Sequence, residues 1–144
     1  MRNAMFVTTL LLAATAALAH QGVRNPAVKA RMDAMGAISE NTKILGAMAK
    51  GELSFDARAA REAARAIATT ASDVPGLFEA PETDPKSEAL PAIWDRFDDF
   101  VVKTETMVAA ADAASTSIET PADLRAALSA IGATCKACHE AYRQ

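Results

Sequence analysis

The chain has 144 residues, with 15 Lys and Arg against 18 Asp and Glu and a formal net charge of −3. The basic residues are scattered among acidic ones rather than gathered into a stripe, which excludes a nucleic-acid footprint. The length suits one buried core, not several.

The first element is an export segment rather than part of a fold. Arg2 precedes an apolar run from Met5 to Leu18, and Ala17-Leu18-Ala19 gives the small-x-small pattern of a signal-peptidase site. The run is shorter than the about 20 apolar residues a spanning helix needs, and no basic stop-transfer cluster follows. Residues 1–19 are therefore expected to be a signal peptide cleaved after Ala19, and residues 20–144 a single periplasmic domain without stable membrane insertion. A retained N-terminal anchor is the alternative. His20, at the expected new terminus, is given no role.

Four helical stretches follow, punctuated by proline and glycine. The first opens at Asn25-Pro26, a cap followed by a proline whose missing N–H costs nothing there. It carries Val28, Met32, Met35, Ile38, Leu45 and Met48 at roughly helical spacing and ends at Lys50-Gly51. The second opens at Ser54 or Asp56 and has a narrow alanine-rich face (Ala57, Ala60, Ala64, Ile67, Ala71, Val74), with a stop expected at Pro75-Gly76. Residues 75–86 read as a loop. A third helix is expected from about Ser87 to Ser115, with Ile93, Trp94, Phe97, Val101, Met107, Val108 and Ala111 facing inward. The fourth starts at Thr120-Pro121, and Leu124, Leu128, Ile131, Cys135, Cys138 and Tyr142 step by four and three along one stripe. No alternating strand pattern occurs, so the expected fold is all-α, an antiparallel up-down-up-down four-helix bundle.

The chemistry is concentrated in Cys135-Lys136-Ala137-Cys138-His139, the C-x-x-C-H signature of covalent haem attachment. On a helix, positions i, i+3 and i+4 share one face. Both thiols can then add to haem vinyl groups while the imidazole lies over the iron. A structural zinc site needs about four ligands, and the chain has two Cys and two His. A thioredoxin-like pair belongs where a strand meets a helix, not deep inside a last helix. A plain disulfide, the bland expectation in an oxidising compartment, would leave His139 a coincidence. One haem c per chain is the expected cofactor, with Cys135 and Cys138 as attachment points and His139 as the proximal iron ligand.

These residues resemble the class II cytochromes c, the group of cytochrome c' and the low-spin cytochrome c-556. The haem motif lies near the C-terminus and runs on to Tyr142-Arg143, like the family's aromatic-then-Arg ending. Arg31-x-x-x-Met35 followed by Leu45-Gly46-Ala47-Met48-Ala49-Lys50-Gly51 looks like its first helix. The resemblance implies haem between the helices, close to the C-terminal end of the last one, and a bundle that is often a homodimer in cytochrome c'. It also implies two options for the sixth iron position. In the c-556 group a Met from the first helix fills it, which raises the potential and suits electron transfer. In cytochrome c' the position is open beneath an apolar residue and takes NO or CO.

In an antiparallel bundle the end of the fourth helix lies beside the start of the first, so the partner of His139 should come from the first half of that helix. Met48 is 13 residues beyond Met35, about 20 Å at 1.5 Å per residue, and Met107 is far along the third helix. Both read as core filling. Of Met32 and Met35, only one can face the iron, and Met35 is the expected ligand because it follows the Val28–Ile38 stripe and matches the family's distal position. An apolar lid over a five-coordinate iron is the competing role. Arg31 is the candidate partner of a haem propionate, and the resemblance puts Arg143 near the proximal side. Trp94, Phe97, Ile67, Ala71 and Tyr142 are expected to wall the haem pocket, as ordinary core packing would also have them do. No general base, nucleophile or second metal cluster is visible. The expected activity is electron transfer with redox partner proteins, not catalysis, with a high-spin NO- or CO-binding protein as the alternative.

Overall fold

The computed structural model describes residues 22–144. The export segment and its cleavage point lie outside the described residues. Five helices follow: α1 (Pro26–Lys50), α2 (Ala57–Leu77), α3 (Ala92–Asp95), α4 (Phe97–Ser117) and α5 (Pro121–Tyr142). The four long ones form an antiparallel bundle in which α1 packs on α2 and α5, and α4 packs on α2 and α5. Among the described residues there is no strand beyond one isolated bridge, Ala89 to Arg143, and no helix long and apolar enough to cross a membrane.

The helix ends sit where the local chemistry requires. Asn25 Oδ1 accepts from the amides of Ala27 and Val28 at 2.9 and 3.2 Å, meeting two donors that a first turn leaves unpaired. Gly51 closes α1 at φ 76°, the left-handed geometry that glycine adopts without steric cost. Asp56 caps α2 by accepting from the Ala59 amide. At α5, Thr120 and Asp123 exchange bonds in a capping box, 3.2 Å from the Asp123 amide to Thr120 Oγ1 and 2.8 Å from the Thr120 amide to Asp123 Oδ2.

Two boundaries differ from expectation. Helix α2 runs through Pro75 to Leu77, since a proline near a helix end removes one backbone bond and the chain needs only one more turn. The expected third helix is broken at Arg96 (φ −135°, ψ 48°) into α3 and α4. Side chains from elsewhere hold this break. The Trp94 indole donates to the Phe78 carbonyl at 2.8 Å, and the Tyr142 hydroxyl lies 3.4 Å from the Arg96 carbonyl.

The alanine-rich face of α2 is turned into the monomer. Ala60, Ala63, Ala64, Ala68 and Ala71 are buried against Leu45, Phe100, Ala111, Ile118 and Ile131. Small side chains there let α1 and α4 come close to α2. The opposite seam, between α1 and α5, stays open, and the site lies in it.

Candidate haem site

Helix α5 carries the site's reactive groups on one wall. Cys135, Cys138 and His139 all line a cavity of about 1070 Å³ together with Thr134, Leu128, Tyr142 and Arg143. The facing wall is α1, which contributes Val28, Arg31, Met32, Met35 and Ile38. The back is closed by Val74 and Phe78 from the end of α2 and by Ile93, Phe100, Thr104 and Met107. The sequence-level argument that the end of the last helix faces the start of the first is met: Met32, Met35 and His139 share one cavity.

Burial pushes both thiols above their usual range. A bond from Thr134 opposes this at Cys135, and the Lys103 charge opposes it at Cys138. Neither cysteine is in a disulfide. His139 is held below the ordinary histidine range, first by partial desolvation and then by the Arg143 charge, with Glu88 opposing. Its imidazole is therefore neutral near pH 7, the form that can bind a metal.

Several expected pocket residues stand elsewhere. Ile67 and Ala71 are fully buried in the bundle core and do not reach the cavity; Val74 and Phe78, one and two turns later, take that position. Trp94 and Phe97 are likewise behind the wall, which is made by Ile93 and Phe100. Trp94 is drawn away by its bond to the Phe78 carbonyl, while Phe97 stacks on Phe100 at 6.0 Å. Periodicity puts Val74 on the apolar face of α2 and could have marked Phe100 and Thr104 on α4, but it does not say which turn lies level with His139. Phe78 falls beyond the expected helix end, in a stretch read as loop.

Arg31 lines the cavity, and each of its three guanidinium nitrogens already donates to a backbone carbonyl. It is 3% exposed. Its Nε donates to the Leu77 carbonyl at 2.8 Å, Nη1 to Glu82 O at 2.7 Å and Nη2 to Ala80 O at 2.5 Å. The planar fork thus collects the carbonyls left over where α2 ends, packed over the rings of Phe78 and Trp94 at 4.6 and 5.4 Å. Arg143 lies at the cavity rim, where its Nε donates to Glu88 at 2.6 Å. Tyr142 is 3% exposed, edge-on to Phe100 at 5.5 Å.

The donor set suits a porphyrin better than a bare ion. Among the described residues no three His, Cys, Asp or Glu side chains come together as a metal site, so an iron here needs its remaining ligands from a macrocycle. The cavity, at about 1070 Å³, slightly exceeds the ~300–1000 Å³ typical of small-molecule sites, and its back is mostly aliphatic and aromatic. Two thiols and an imidazole on one wall match covalent attachment plus one axial bond.

The family model described as Cytochrome C' matches residues 26–143. The chain belongs to the class II cytochrome c family. As a class II cytochrome it carries covalently bound haem c and folds as the family's four-helix bundle. It is 39% identical over 119 residues to cytochrome c-556 of Agrobacterium tumefaciens, covering 81% of this chain and 95% of that one. Cytochrome c' from Rhodopseudomonas palustris superimposes with a TM-score of 0.78 at 32% identity, covering 84% of this chain and 98% of the other. The NMR-validated model of oxidised cytochrome c556 from the same organism gives 0.77 at 31% identity, with the same coverage. Members with both kinds of name are thus equally similar to this class II cytochrome in fold.

Proposed function

We propose that this class II cytochrome is a periplasmic electron carrier of the c-556 kind, with haem attached through Cys135 and Cys138 and with His139 and Met35 as axial ligands. The observation that carries this reading is that Met35, half-buried on α1, and His139 on α5 line one cavity. When bound, haem supplies a one-electron Fe(III)/Fe(II) couple. The two thiols hold it by thioether bonds, and the neutral imidazole of His139 offers a nitrogen lone pair. The Met35 thioether supplies a soft second donor, which favours the reduced state. Val28, Ile38, Phe78, Ile93 and Phe100 keep water away and so tune the potential further. No residue is assigned a catalytic role. The partners are redox proteins that deliver or accept single electrons.

Replacing Met35 tests the reading. Met35→Ala should convert a low-spin optical spectrum to a high-spin one and open the haem to CO, whereas Met32→Ala should leave it low-spin. A Met35→Ala spectrum that stays low-spin would remove Met35 from the coordination sphere and pass the role to another donor, whereas a wild-type protein that is already high-spin would favour an open, NO-binding site.

A further inference from the structure

Lys86 is a cation without a counter-charge at the edge of the haem cavity. It is exposed, lines the cavity, and has no carboxylate partner among the described residues. The reason lies in how its neighbours are used. Asp84, two residues before it, accepts from the backbone amides of Arg24, Asn25 and Lys86 at 2.9, 3.0 and 2.9 Å. Glu82 accepts from Asn25 Nδ2 at 2.7 Å, and Glu88 is bound by Arg143. Every acidic side chain of the 82–88 segment is therefore committed, and Lys86 lines the cavity rim without a carboxylate beside its ammonium.

The backbone around Lys86 is fixed. The Leu90 amide donates to the Tyr142 carbonyl at 2.9 Å and the Gln144 amide to the Glu88 carbonyl at 3.0 Å. These bonds pin the segment to the C-terminal end of α5, the His139 end of the cavity. Haem bears its two carboxylates on the edge opposite its vinyl groups. Cys135 and Cys138 both precede His139 on α5, so a haem attached through them would turn its carboxylate edge toward the C-terminal end of the helix, where the Lys86 segment is pinned. The residue that would ordinarily answer a carboxylate, Arg31, already has three of its nitrogens bound to carbonyls.

Building on the haem assignment above, we propose that Lys86, not Arg31, pairs with a propionate of the haem. Such a pair charge-compensates both groups in a partly desolvated cavity rim. Lys43, also exposed, cavity-lining and without a carboxylate partner, lies 8 residues beyond Met35 toward the other end of α1, about 12 Å at 1.5 Å per residue. It serves as the control.

The test uses the holoprotein with haem labelled by ¹³C at the propionate carboxyls, read by reduced-minus-oxidised infrared difference spectroscopy. Lys86→Met should shift the labelled carboxylate bands of one propionate, Lys86→Arg should restore them, and Lys43→Met should leave them at the wild-type position. A coloured Lys86→Met protein with unmoved bands overturns the pairing alone, as does an equal shift in Lys43→Met, which would signify general rim charge. Wild-type protein that carries no haem at Cys135 and Cys138 overturns both this proposal and the site assignment beneath it.

Discussion

The Tyr142 hydroxyl donates a 2.5 Å hydrogen bond to Asp99 Oδ2, tying the last turn of α5 to the first turn of α4. Tyr142 is three residues past His139, so this bond braces the helical turn that carries the imidazole. The Arg96 guanidinium lies over the same ring at 5.1 Å, and Lys103 lies 3.7 Å from Asp99.

The pH dependence of that brace has a definite sign. Burial and the Asp99 bond raise the Tyr142 pKa, while the Tyr142 bond holds the Asp99 carboxyl below its usual range. A raised tyrosine pKa gives stability that is present below roughly pH 10 and is lost as pH rises through the folded value. A lowered aspartate pKa gives stability that is present above roughly pH 4 and is lost as pH falls through the folded value. Tyr142→Phe should thus lower Tm most between those limits, and its difference from wild type should close on either side. Thermal melts of the holoprotein across pH would check this; a difference independent of pH would show that the ring's packing, not the hydrogen bond, is what matters.

Arg31 makes a prediction of the opposite kind, about stability and not the haem. Its three donors satisfy the carbonyls of Leu77, Ala80 and Glu82, and removing it leaves those oxygens unpaired beside a buried hole. Arg31→Met should cost about 3 kcal/mol in urea unfolding. Arg31→Lys should recover only part of this, since a single ammonium cannot span three acceptors held by a planar fork. A holoprotein of unchanged stability would contradict the assignment.

The two cysteines should act together, each holding one side of the attachment. Cys135→Ser or Cys138→Ser should leave haem on a single thioether, seen as retained porphyrin mass and a shifted α band. The double variant should release its haem on acid–acetone extraction. Should the double variant keep covalent porphyrin, attachment would have to lie elsewhere in the chain.

The caps made α1 and α5 legible from sequence. Asn25-Pro26, Lys50-Gly51 and Thr120-Pro121 carry local chemistry that sets helix ends without help from the rest of the chain, and the α5 stripe then dictated that Cys135, Cys138 and His139 share a face. The break at Arg96 was not legible, because the apolar spacing of Ile93, Trp94 and Phe97 runs on unbroken. It is a tertiary effect, held by the Phe78 carbonyl on Trp94, 16 residues away in sequence, and by the Tyr142 hydroxyl at Arg96, 46 residues away. The same cause displaced the cavity wall. Which turn of α2 stands level with His139 depends on how the helices slide past one another, and periodicity has no access to that. The partners of Arg31 were not legible either: the carbonyls it binds lie at the last residue of α2 and in the segment after it, whose path only the folded chain reveals.

The most direct measurement is an optical spectrum of the reduced, periplasm-expressed protein, recorded before and after exposure to CO. A sharp low-spin α band that CO leaves unchanged is the result expected if His139 and Met35 both hold the iron. A broad high-spin band that shifts with CO would contradict it and make this class II cytochrome a gas-binding one.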